Sequence, residues 1–216
     1  LRKGKSWGWR RLRRGRIPHA VVLMYHRVAA PPPFDPWHMH VPPERFDEQL
    51  QALRSFADIV PLEGLTHSMR KRRAGRPVIA LTFDDGYLDN LVAAKPILEQ
   101  HDAPATVFLA TGCIDRGGRY WWDHLVDVVY GPEVLPSKLR FDSPQGPFEW
   151  QCEGLGNDAS RQVQTRQALL DNLWSLLVRL TDDARHALLA SLDQWAGNPL
   201  PLDPDASAAR LAAALG

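Results

Sequence analysis

Three stretches of the chain are apolar at consecutive positions and bounded by polar or turn-forming residues. They are AVVLMYHRV at 20–28, PVIALTF at 77–83 and PATVFLA at 104–110. Short continuous apolar runs of this kind read as strands buried on both faces. Helical patterns lie between them. In PPERFDEQLQALRSF, Phe46, Leu50, Leu53 and Phe56 share one helical face, with proline at the entry and acids in the first turn. DIVPL at 58–62 reads as a short strand. Leu88, Leu91, Val92 and Leu98 predict a helix over 87–100, kinked or interrupted at Pro96. Buried strands alternating with amphipathic helices predict an α/β fold, with a parallel sheet or a β/α barrel.

The pattern changes after WWDHLVDVVY. Residues 136–157 are polar and punctuated by glycine and proline, with a hairpin expected around FDSPQGPFEW. Leu169, Leu173, Leu176 and Leu180 then mark one helix. Asp182 or Asp183 is expected to cap a second that carries Leu188, Leu192 and Trp195. The expected organisation is an arm at 1–16, an α/β part at 17–135 and a mostly helical insertion at 136–216. In AAPPPFDPWHMHVPP, residues 29–43, six prolines exclude regular structure.

The net charge of +1 hides an uneven distribution. The opening LRKGKSWGWRRLRRGR holds eight Lys and Arg and no acid, which leaves 18 bases against 25 acids in the rest. A body near −7 is ill suited to neutralising phosphates, so nucleic acid is not an expected partner. The arm, with Trp7, Trp9 and Leu12 among its arginines, is expected either to be a solvated tail or to meet an anionic membrane surface. The longest early apolar run, Ala20 to Tyr25, is too short to span a bilayer and has no cleavage-site pattern behind it. A cytoplasmic or membrane-peripheral location is therefore expected. Cys113 and Cys152 lack metal-type spacing and say little about redox compartment.

The chemistry concentrates at ALTFDDGY, residues 80–87, where a hydrophobic strand ends in two adjacent carboxylates with glycine behind them. Neighbouring carboxylates repel unless one is protonated or a cation lies between them. At the carboxyl end of a barrel strand, one can bind a divalent ion while the other takes a proton from bound water. Gly86 permits the sharp turn that lets both face the barrel mouth.

TFDDGY, followed by Asn90, Ala94, Pro96, Leu98 and then PAT-V-F, resembles the first signature of the polysaccharide deacetylases. This is the NodB-homology group, carbohydrate esterase family four. VLMYHRV, ERFDEQLQAL and WWDHL are similar to a bacterial subset of that family. The resemblance is close over about 20–125 and loose beyond. It implies the N-terminal part of an irregular (β/α) barrel with a C-terminal helical insertion. It also implies metal-dependent hydrolysis of N-acetyl or O-acetyl groups on a sugar polymer or sugar-lipid. On the family pattern Asp84 is the catalytic base and Asp85 a ligand to a divalent ion, zinc foremost, with Thr82 and Phe83 shaping the strand end.

The sequence departs from that pattern downstream. A zinc site usually takes three protein ligands, and the family supplies two from a His-x-x-x-His motif. The histidines here are 19, 26, 38, 40, 67, 101, 124 and 186, and no two are four apart. The family's later arginine-proline and Leu-x-His signatures are missing as well. The expectation is a chain cut before these motifs, with little turnover of its own; its first residue is Leu rather than Met. His38 and His40, on an extended loop, would point the same way. His26 ends the first strand and would face the mouth, hydrogen-bonding near substrate. Trp121 and Trp122 would stack on sugar rings or pack internally, and His101 and His186 look like surface residues. Two further readings stand beside the enzyme: a non-catalytic carbohydrate or membrane-surface module using Trp121, Trp122 and the arm, and a magnesium-phosphate site at DDG. The latter lacks an accompanying Gly-rich phosphate loop.

Overall fold

The computed structural model describes residues 20–71, 76–113, 119–143, 146–152 and 159–199. The basic arm at 1–16, and the membrane role expected of it, lie outside the described residues. The chain divides into two compact units, one of residues 1–30 and 39–110, the other of 31–38 and 111–216.

The first unit is a mixed α/β assembly around a parallel sheet. Its elements are β1 (Ala20–Tyr25), α1 (Pro43–Phe56), β2 (Asp58–Ile59), a 3-10 turn at Leu62–Gly64, α2 (Leu65–Lys71), β3 (Val78–Phe83), α3 (Lys95–Gln100) and β4 (Ala105–Val107). β3 is central. β1 runs parallel along its whole length, from Ala20↔Val78 to Tyr25↔Phe83. β2 pairs with Val78 and Ile79, and β4 pairs with Leu81 to Phe83. These two short strands therefore share the edge opposite β1. The described strands form an open four-stranded sheet.

Side chains alternate across a strand, so Ile79, Leu81 and Phe83 of β3 face one side. There they meet Phe46 and Leu50 of α1 in a core that also holds Val28, Ala57, Ala94 and Ala103. Tyr25, Phe46 and Phe83 form an aromatic floor, with ring centroids 5.1, 5.4 and 5.8 Å apart. Full burial of one such side chain contributes on the order of 1.5–3 kcal/mol.

Two strand expectations need correction. β1 is covered on one face only: Val21, Leu23 and Tyr25 pack on the core, whereas Val22 and Met24 are exposed. β4 is three residues long rather than a buried run, and Val107, Phe108 and Leu109 are exposed. A continuous apolar sequence marks a strand but does not say which faces will be covered. The helix break comes earlier than Pro96. A π-helical turn occupies Asn90–Ala94, where the Lys95 amide donates to the Asn90 carbonyl. Pro96 then sits in the first turn of α3, where its missing N–H is harmless. The wider turn before it relieves the clash its ring would make with the preceding turn's carbonyl.

The second unit contains a 3-10 turn at Thr111–Cys113, α4 (Trp121–Tyr130), the hairpin β5 (Lys138–Ser143) and β6 (Gly146–Gln151), α5 (Ala159–Leu177) and α6 (Asp182–Ala196). The hairpin is antiparallel, as expected, with Phe141 opposite Phe148. Leu125, Val128 and Val129 of α4 pack with Leu169, Leu173 and Leu177 of α5 and Leu189 and Leu192 of α6. α6 is capped by Thr181, whose side-chain oxygen accepts from the Ala184 amide, rather than by an aspartate. Asp182 and Asp183 lie in its first turn instead, where negative charge suits the helix dipole. Gly197 ends it at φ 80, a left-handed position glycine occupies without strain. Among the described residues, no helix is long and apolar enough to cross a membrane.

Candidate functional site

The two carboxylates emerge where the β1–β3 ladder ends. The Asp84 amide donates to the Tyr25 carbonyl at 2.9 Å, one step past the last strand pair. The chain then turns within three residues: the Gly86 amide donates to the Asp84 carbonyl at 2.9 Å around Asp85 at φ 69. That is a γ-turn of positive φ, the rarer and strained form. Gly86 follows at φ 75, where a Cβ would be unfavourable. On the far side the Ala110 amide reaches the Asp85 carbonyl at 3.4 Å. The turn is thus tied to the ends of both β1 and β4.

Asp84 and Asp85 are half-buried, and Gly86 and Tyr87 are buried. Burial pushes the Asp85 carboxyl above its ordinary 3.8; nearby His26 pulls it down, and the charge of Asp84 adds to the rise. His26, Asp84 and Asp85 are therefore electrostatic neighbours at the carboxyl end of the central strand. Loss of water favours the neutral acid, and a cation beside it would favour the carboxylate.

The donor set falls short of a metal centre. A zinc-type site takes three or four protein ligands. Among the described residues no group of three or more His, Cys, Asp or Glu is placed to hold a metal ion. His38 has φ 54, so the extended geometry that would aim it alongside His40 is not adopted.

The remaining sequence candidates are placed as follows. Trp121 and Trp122 begin α4 in the second unit, both half-buried. Trp121 lies 4.7 Å from Trp174, and Trp122 stacks on Tyr120 at 4.5 Å. His124 pairs with Asp193 at 2.8 Å. His186 is exposed, as expected, but His101 is partly buried and bonded to Asp47 at 2.7 Å.

Two residues escaped the sequence reading. Asp89 and Arg27 form a buried ion pair, Nε to Oδ2 at 2.8 Å. They are 62 positions apart, and only their places as the last residues of the two strings YHR and DDGYLD could have suggested it.

Part of the chain is similar in sequence to known proteins. Residues 71–137 match the family model described as polysaccharide deacetylase. YxkH of Bacillus subtilis (strain 168), which carries a polysaccharide deacetylase name, is 27% identical over 90 residues; the match takes in 41% of this chain and 30% of YxkH. Among solved structures, the Streptococcus pyogenes deacetylase PplD is 29% identical, with a TM-score of 0.38 and 46% of each chain covered. IcaB from Ammonifex degensii is 18% identical, with a TM-score of 0.38 and 80% of each chain covered. With TM-scores this low the structural likenesses carry no weight, and what the chain shares with these proteins lies in the sequence matches. The chain spans under a third of the curated relative it matches.

Proposed function

We propose that this chain, whose residues 71–137 belong to the polysaccharide deacetylase family, takes part in hydrolysing acetyl groups from a sugar polymer or sugar-lipid, N-acetyl groups foremost. Asp84 is the base that takes a proton from the attacking water. Asp85 is a ligand to a divalent ion, zinc foremost, and His26 is a hydrogen-bonding group beside them. The observation that carries the reading is the γ-turn that holds Asp84 and Asp85 together at the end of the central strand, with His26 near. A strained non-glycine residue next to a paired carboxylate points to a site, because an ordinary surface turn gains nothing from such strain.

The described residues do not complete a metal site, so no step of the reaction is written through one. Their own chemistry is narrower. Asp84, half-buried and hydrogen-bonded through its backbone, is positioned to accept a proton. Asp85 is held in an environment that disfavours its negative charge until a cation answers it. The further ligands are proposed to lie outside the described residues.

The test is acetate release from an N-acetylated chitooligosaccharide by the protein, with and without Asp84→Asn. Loss of at least about a hundredfold is expected, in the range that general-base removal produces. Unchanged acetate release by the variant would overturn the assignment.

A further inference from the structure

We propose that Arg27 and Asp89 are a positioning pair, an internal clamp that fixes His26 and the Asp84–Asp85 turn relative to one another. This rests on the reading of Asp84 and Asp85 given above.

The carboxylate of Asp89 is divided between two donors. Its Oδ2 accepts from Arg27 Nε at 2.8 Å, and its Oδ1 accepts from the Val28 backbone amide at 2.9 Å. One side chain on the turn segment thus grips two consecutive residues past the end of β1. The Arg27 side chain is only 2% exposed, and its guanidinium carbon lies 4.4 Å over the ring of fully buried Tyr87. Asn90 adds a further tie. With its amide oriented to suit its neighbours, it donates to the His26 carbonyl at 3.0 Å and to Asp89 Oδ1 at 3.2 Å. With the Asp84–Tyr25 bond, residues 25 to 28 are held by residues 84, 87, 89 and 90.

Stability does not explain the choice of an ion pair here. Taking two charges out of water is costly, and well-packed apolar residues at such positions often do as well or better. What apolar packing lacks is direction. Charge-assisted hydrogen bonds fix orientation, and here they fix the strand end bearing His26 against the turn bearing the carboxylates. Asp89 is thereby distinguished from Asp84 and Asp85: it positions the site and does not touch the reacting atoms.

The test compares Asp89→Asn, which keeps an acceptor for Val28, with the apolar pair Arg27→Met and Asp89→Leu. Amide hydrogen exchange is read at Asp84, Gly86 and Val28, and at Ile79 and Leu81 as internal reference; kcat and KM are read on the protein. In both variants exchange at the first three amides is expected to rise about tenfold or more while the β3 reference holds. With this, kcat falls about tenfold to a hundredfold at nearly constant KM, as misplacement of catalytic groups does. If the apolar pair folds with the Asp84 and Gly86 amides protected as in the parent and kcat intact, whatever happens at Val28, the pair is structural filler and the proposal is wrong. Should the single variant fail to fold, the double variant decides. An Asp84→Asn control that kept full activity would sink the catalytic reading but leave the exchange result to judge the clamp.

Discussion

The Asp84 amide meets the Tyr25 carbonyl at 2.9 Å, so the β1–β3 ladder delivers its last bond to the first of the two acids. Asp85, the next residue, is left to make the turn at φ 69. A side-chain-bearing residue in the left-handed region costs roughly 1–2 kcal/mol. Asp85→Gly removes that cost and one half-buried carboxylate, against about 0.5–1 kcal/mol of added chain entropy. The first unit is expected to become more stable by up to about 1 kcal/mol, or about 4–8 °C per kcal/mol gained, while acetate release by the protein is lost. Thermal unfolding checks the first part; a lower midpoint would show that Asp85 supports the fold rather than straining it.

The same residue sets a pH dependence. Its carboxyl is raised above 3.8 in the folded chain, chiefly by burial. A raised folded pKa means the native state holds its proton more tightly than the unfolded state. The resulting stabilisation is fully present below about 3.8 and is lost as pH rises through the higher, folded value. Urea unfolding from pH 3.5 to about 7 is expected to show this falling component in the parent chain and not in Asp85→Asn. The difference between the two curves should be flat above that window. A component rising with pH would mean that Asp85 is stabilised as a carboxylate, contrary to its surroundings.

The helices and the central strand were legible in the sequence because their signals are local. β3 is continuous and buried throughout, and α1 begins at Pro43 and buries Phe46 and Leu50. The uncovered faces of β1 and β4 were not legible, since Val22, Met24 and Phe108 are apolar whether or not anything lies over them. At the site, TFDDG announced Asp84 and Asp85, but the pairing of Arg27 with Asp89 is long-range and leaves no periodic trace. Arginines that cap helix ends were not legible either, because which side chain reaches a terminal carbonyl depends on the fold.

Three helices end on such arginines, and the caps differ in burial. Arg76 donates to the carbonyls of Arg54, Ser55 and Ala57 at the end of α1, while its side chain stays 47% exposed. Arg166, only 7% exposed, donates to Val129, Pro132 and Glu133 after α4. Arg185 serves Leu177 and Leu180 after α5. Terminal carbonyls need donors, and water can replace Arg76 more easily than Arg166. Arg166→Ala is therefore expected to cost about 3 kcal/mol and Arg76→Ala about 1 kcal/mol. Hydrogen exchange resolves each unit separately where a single unfolding transition need not. Equal costs would contradict the role given to burial.

Trp121 supplies a test that separates packing from sugar binding. Its ring lies 4.7 Å from Trp174, which lies 5.0 Å from Trp37, and the Arg185 guanidinium sits 5.0 Å over Trp121. These contacts belong to the core of the second unit. Truncating a large aromatic in such a setting costs about 3 kcal/mol, and a smaller ring recovers part of it. Trp121→Ala is accordingly expected to lower protection of the Leu173 and Leu192 amides, with Trp121→Phe intermediate. Retention on an immobilised acetylated glycan should be the same for both variants and the parent once each is folded. If Trp121→Ala instead kept the core amides protected and lost the glycan, the ring would be a sugar platform, and its neighbours would be there to hold it open rather than to be covered by it.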